Sequence, residues 1–176
     1  GRPLLIDVGV ETYSKKTFSP QRYEIWTMQS GWHNLPQFDP DGAKYDQQPG
    51  AAFAAADVTV TDALDGLAMD LAPAYGSVPG LGRYRRSVHL TDTGLTLHDE
   101  TDYPGTVALT LMSVEKPAVD GDTVAFGALA AAAVTGADKI VTEAVPITDP
   151  RLRQAWPDTL YRTRIYFTQQ LSLVIG

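Results

Sequence analysis

The sequence predicts an all-β fold, a two-layered antiparallel β-sandwich with at most one or two short helices. Three observations point to it: short apolar runs that alternate with period two, turn residues spaced between them, and the near absence of a 3.6-residue period. Leu4-Leu5-Ile6 is the first apolar run and ends at Asp7-Val8-Gly9. Arg22 to Met28 mixes aromatic and β-branched residues with polar ones, as a half-buried strand does. Further strands are expected over Ala51 to Val60, Leu67 to Ala74, Arg86 to Leu90, Gly94 to Asp99, Thr106 to Val114, Thr123 to Phe126, Lys139 to Val145, Tyr161 to Phe167 and Leu171 to Ile175. Between them fall Asp39-Pro40-Asp41-Gly42, Pro79-Gly80, Pro104-Gly105, Asp120-Gly121-Asp122 and Thr135-Gly136, all turn formers. Around Leu64 to Ala72 the alternation Leu67, Met69, Leu71 favours strand over helix. The one helical turn expected is Asp149 to Trp156, with Asp149 capping Pro150 at the first helical position.

Composition narrows the functional classes. The 176 residues suit a single domain over 1–176 with a real core, and there is no room for a second catalytic domain. No apolar run reaches the roughly 20 residues that span a bilayer; the longest candidate, Phe126 to Val134, is short and Ala-rich. No membrane partner is therefore expected. A net charge of −7 disfavours nucleic acid as a partner, and only Arg83, Arg85 and Arg86 cluster as local basic residues. With no cysteine, the chain has no disulfide, thiolate metal site or cysteine nucleophile. No basic stretch followed by an apolar one opens it, so no leader is expected, and the address stays open between periplasmic or secreted and cytoplasmic in a prokaryote.

The series Arg2-Pro3-Leu4-Leu5-Ile6-Asp7-Val8-Gly9, Tyr13, Arg22-Tyr23, His33-Asn34 and Gln48 with Gly50 resembles the C-terminal module of the heparinase II/III family of polysaccharide lyases. The likeness continues through Ala74-Tyr75, Arg86 to Leu90, Leu97-His98-Asp99 and Leu160-Tyr161-Arg162, and so covers nearly the whole chain. In that family an α/α toroid precedes a two-layered β-sheet domain, and the cleft between them degrades acidic polysaccharides. The resemblance implies an N-terminal toroid of the same protein as a partner, carrying the principal catalytic group. It also implies that this module supplies a metal site and part of the cleft wall.

The family binds zinc through a His, an Asp and a second His. Asp7 and His33 match the latter two, and the first histidine is expected upstream of Gly1. Imidazole and carboxylate suit zinc, and the ion's implied role is to fasten two strands rather than to activate water. On spacing alone, Asp7 reads as a strand-end turn residue and His33 as a hydrogen-bonded histidine.

Lyase chemistry on a uronic acid must neutralise the C6 carboxylate, remove the C5 proton and protonate the departing O4. Tyr13 and Tyr23 lie between the two implied metal ligands. The resemblance makes both substrate-lining residues, Tyr23 being the better candidate to assist catalysis; the bland alternative is a pair of sandwich tyrosines with wet hydroxyls. Arg22 is a candidate for a uronate, against an ordinary surface ion pair. Asn34 is a candidate sugar contact, although a structural turn explains it more simply. Gln48 is preferred to Gln47 as the family glutamine because Pro49-Gly50 follows it. His89 and His98 with Asp99 or Asp102 do not make a second metal set, since alternation turns His89 to solvent. Two other classes compete: a noncatalytic carbohydrate-binding or structural sandwich, marked by an aromatic platform on an open face without a buried Asp7/His33 pair, and a sandwich forming a homodimer through a large apolar face.

Overall fold

The computed structural model describes residues 2–48 and 56–176. Ten strands form in them: β1 Pro36–Phe38, β2 Ala56–Val60, β3 Gly66–Asp70, β4 Tyr84–Thr91, β5 Gly94–Thr101, β6 Val107–Ser113, β7 Pro117–Asp120, β8 Thr123–Phe126, β9 Ala130–Pro146 and β10 Thr159–Ile175. Every pairing between them is antiparallel. The all-β sandwich is therefore what the chain builds.

β10 organises the two layers. Its first half lies between β6 and the end of β9, with Tyr161 opposite Ser113 and Phe167 opposite Val107. Its second half lies between β5 and the start of β9, with Leu173 opposite Leu97 and Val134. One layer thus runs β1-β6-β10-β9 and the other β2-β3-β4-β5-β10-β9-β8-β7. The pairing is irregular between Phe167 and Ser172, where Gln169 takes a φ of 39°. Opposite this irregularity Gly136 has a φ of 89°, and a Cβ there would stand 2.5 Å from the Gln170 carbonyl oxygen, so glycine is required on both counts.

The layers enclose a core of Phe38, Tyr75, Tyr84, Val107, Leu109, Leu111, Phe126, Ile165, Phe167, Leu171 and Leu173. Odd-numbered residues of β6 and of the first half of β10 supply its inward face, as period two demands. The alternate face is not open to water. β6 is buried along its whole length, because Met112 joins Ile6, Val8, Val145, Ile147, Leu152 and Leu160 in a second cluster that Trp26, Trp32 and Trp156 cover.

The lid on that face is the N-terminal third. Arg22 to Met28, expected as a strand, instead forms 3₁₀ turns within the series Lys15–Phe18, Pro20–Glu24, Trp26–Met28 and Ser30–Trp32. The reason is local: Pro20 starts a turn for which the Ser19 hydroxyl caps the Gln21 N–H at 3.1 Å, and among the described residues no strand pairs with this segment. With Ala72–Tyr75 and Leu152–Gln154 these make more short helical turns than the one or two expected, but none exceeds five residues and none is α-helical.

Leu4-Leu5-Ile6 makes only an isolated bridge, Leu5 to Ser113, while other expected strands form with shifted ends. Leu67 to Ala74 is a strand only as far as Asp70. Residues 51–55 of the expected Ala51 to Val60 strand, and Gly50 before it, lie outside the described residues. Tyr161 to Phe167 and Leu171 to Ile175 are two halves of one strand. Asp149 does cap its turn, accepting from the Arg151 and Leu152 N–H groups at 3.0 Å each.

Candidate functional site

Asp7 and His33 converge on the outer face of the smaller layer, 26 residues apart in sequence. His33 Nδ1 lies 2.8 Å from Asp7 Oδ2, and His33 Nε2–H donates to the Thr27 carbonyl at 3.1 Å, the tautomer being assigned from that partner. The other carboxylate oxygen accepts the Gly9 N–H at 2.9 Å. Burial pushes the Asp7 carboxyl up, but the Gly9 N–H and His33 outweigh it and hold it below the usual carboxylate value. Both atoms facing His33 are oxygen acceptors. The ring therefore satisfies them either with a proton on each nitrogen or with a cation between Nδ1 and Oδ2.

Asn34 fixes the backbone around this pair. Its Nδ2 donates to the Ile6 carbonyl at 3.1 Å, its Oδ1 accepts from the Met112 N–H at 2.9 Å, and its own carbonyl accepts from Arg86 Nη1 at 2.8 Å. Arg86 is itself buried, forking onto both oxygens of buried Asp99 at 2.7 Å each, and Tyr84 donates to the same carboxylate at 2.6 Å. Burial pushes the Tyr84 hydroxyl well above its ordinary value, and adjacent Asp99 reinforces the shift. The apparent basic cluster is thus dispersed: Arg86 enters the core, while Arg83 pairs with Glu100 at the surface.

Two adjoining cavities open here, sharing Met28 and Gln47. One, of about 420 Å³, is lined by Asp7, Ser30, His33, Asn34 and Leu35 as well. The other, of about 430 Å³, is lined by Tyr23, Trp32, Gln37, Lys44, Asp46, Arg162 and Arg164 among others. Tyr23 and the Asp7–His33 pair therefore lie along one connected surface. Gln47 lines both cavities and Gln48 neither; Gln48 is exposed, its N–H donating to the Ala74 carbonyl at 2.8 Å. Arg22 is exposed and lines neither cavity. Tyr13 is also elsewhere: its ring meets Phe18 edge-on at 5.5 Å and carries the Arg151 guanidinium 4.5 Å above it.

Sequence reasoning set Gln47 aside in favour of Gln48 and did not single out Arg162 or Arg164 as cavity residues. The two arginines alternate along β10 and share the outer face with Thr110 and Met112, their register partners on β6. Alternating arginines on a strand ordinarily signal a solvent face, so the pattern alone did not mark a cavity. His89 and His98 go to separate partners, Asp65 and Ser172, and make no metal set. Among the described residues no group of three or more His, Cys, Asp and Glu is placed to hold a metal, so Asp7 and His33 stand as a pair.

Solved structures share this architecture. A heparinase III structure with methylated lysines superposes at a TM-score of 0.65 with 15% identity, over 99% of this chain and 28% of its own. A second heparinase III structure gives 0.61 and 19%, over 99% and 28%. The fold is heparinase-like. The heparan sulfate lyase HepC from Pedobacter heparinus gives 0.63 and 14%, over 99% of this chain and 29% of that one. The heparinase-like chain thus spans less than a third of the length of each of these neighbours. No protein-family model matches it, and no curated protein matches it by sequence.

Proposed function

We propose that this chain is the C-terminal β-sheet module of a larger heparinase II/III-like lyase that cleaves acidic, uronate-containing polysaccharides by β-elimination. The observation that carries this reading is the convergence of Asp7 and His33 beside a cavity lined by Tyr23, on a heparinase-like fold. A noncatalytic sugar-binding sandwich would not need that pair. The chain's own residues build the cleft wall: Tyr23 and Gln47 present polar groups to the sugar, while Asn34 holds Ile6 and Met112 so that Asp7 and His33 stay aligned. The general base and the carboxylate neutraliser come from the N-terminal toroid.

Asp7 Oδ2 and His33 Nδ1 also fit one side of a zinc site. The His33 Nε2–H bond to the Thr27 carbonyl is the second contact that a metal-bound histidine ordinarily makes, and it leaves the Nδ1 lone pair facing the carboxylate. Two donors are fewer than the three or four zinc takes, so a third comes from outside the described residues. When bound, the ion supplies a structural tie between the segments bearing Asp7 and His33.

The test follows the ultraviolet absorbance of unsaturated uronate as the full-length protein acts on heparan sulfate, heparin and alginate. Product is expected from at least one, and this chain alone should release none. No product from any acidic polysaccharide would sink the lyase reading, and robust turnover by this chain alone would overturn the division of labour. Metal analysis of the purified full-length protein should find zinc, lost on His33→Ala.

A further inference from the structure

The cavity beside the Asp7–His33 pair is cationic in a chain whose net charge is −7. Lys44, Arg162 and Arg164 line it, and the acidic lining residue among those described, Asp46, accepts a hydrogen bond from Gln37 Nε2 at 2.8 Å. The two arginines have different jobs. Arg162 is locked: its guanidinium lies 3.6 Å from the centre of the Trp32 ring, Nη1 donates to the Gly31 carbonyl at 3.1 Å, and Nε and Nη2 both reach Glu143 Oε1 at 2.5 Å. Burial pulls Arg162 below its ordinary value, with neighbouring Arg164 adding to this and Glu143 opposing it.

Arg164 is less tightly held, its guanidinium 5.5 Å from the centre of the Tyr166 ring. Its buried Nε makes no hydrogen bond among the described residues, and Glu143 Oε1, already engaged by Arg162, stands 3.8 Å away. One carboxylate therefore serves two guanidiniums, next to a lysine and a polar lining of Gln29, Gln37 and Gln47. A further anion entering the cavity would meet uncompensated positive charge and a forked donor.

We infer that Arg162 and Arg164 form an oxyanion subsite for a charged sugar, with Arg162 stacked on Trp32 as its fixed floor, Arg164 as the donor that engages the carboxylate or sulfate, and Glu143 as the internal counter-anion that limits affinity. This rests on the acidic-polysaccharide reading above and adds the residues that recognise the charge.

The test measures binding of three probes to the full-length protein by calorimetry: a sulfated heparan-type hexasaccharide, its chemically desulfated counterpart, and a neutral dextran oligosaccharide. Arg164→Gln should weaken the charged probes about tenfold or more, the range of a charge-assisted hydrogen bond, and leave dextran unchanged. Arg164→Lys, which keeps the charge and loses the fork, should lose about threefold. Glu143→Gln should tighten the charged probes about threefold and steepen their salt dependence. Loss confined to the sulfated probe identifies the anion as sulfate, and equal loss for both charged probes identifies it as uronate carboxylate. If the wild-type protein binds the charged probes and neither Arg164 variant changes that binding, the subsite is wrong while the lyase reading survives. If the wild-type protein binds neither charged probe, the subsite is overturned, and the lyase reading stands or falls on the product assay above.

Discussion

The strands and the N-terminal third are held together by different forces, and the site belongs to the second. In the sandwich, ladder hydrogen bonds and a dry interior of large side chains define each position. In residues 7–35 few backbone bonds reach a strand, and side chains anchor the chain instead: Trp156 Nε1 holds the Val8 carbonyl at 2.9 Å, Asn34 ties Ile6 to Met112, and Arg162 and Thr110 both grip the Gly31 carbonyl. The lesson is that a frame specified by many interchangeable contacts supports a site specified by a few particular ones.

That contrast is broken most severely in the frame. Phe167→Ala, at a fully buried ring between the layers, should cost about 3–5 kcal/mol in urea unfolding. A cost below about 1 kcal/mol would mean that the layers do not close on that ring. Asn34→Ala sharpens the comparison from the other side. Leaving the Ile6 carbonyl and the Met112 N–H without their partner should lower stability by about 1–3 kcal/mol, and the His33 ring signals should shift in NMR spectra while core methyl signals stay in place. Unmoved His33 signals would show that Asn34 does not align the pair.

The smallest effect is electrostatic. Because the Asp7 carboxyl titrates below its unfolded value of 3.8, its contribution to stability is complete above that pH and is lost as pH falls through the lower folded value. The carboxylate is largely exposed, so the loss should stay below about 1 kcal/mol, and Asp7→Asn should flatten that part of the acid limb. An acid limb identical in Asp7→Asn and wild type would remove Asp7 from the electrostatic account.

The same contrast explains what could be read from the chain. A strand such as Thr123–Phe126 was legible because one wet face and one dry face leave a period of two in the sequence. The fusion at β10 was not, since the irregularity after Phe167 looks like a break between two strands. The strap from Lys15 to Trp32 carries no period because side-chain caps and tryptophan contacts, not a repeating face, shape it. Asp7, His33 and Tyr23 were reached through resemblance to a family. Arg162 and Arg164 were hidden because a strand face covered by a distant segment has the same alternation as one open to water.

β10 has a mechanical consequence. A single backbone of 17 residues runs through both layers and is laddered to β5, β6 and β9 along its length. Sliding one layer over the other would disturb all three ladders together, so β10 opposes relative motion of the layers. The wall bearing Arg162 and Arg164 sits on this shared strand and so behaves as an anvil, fixed to both layers at once.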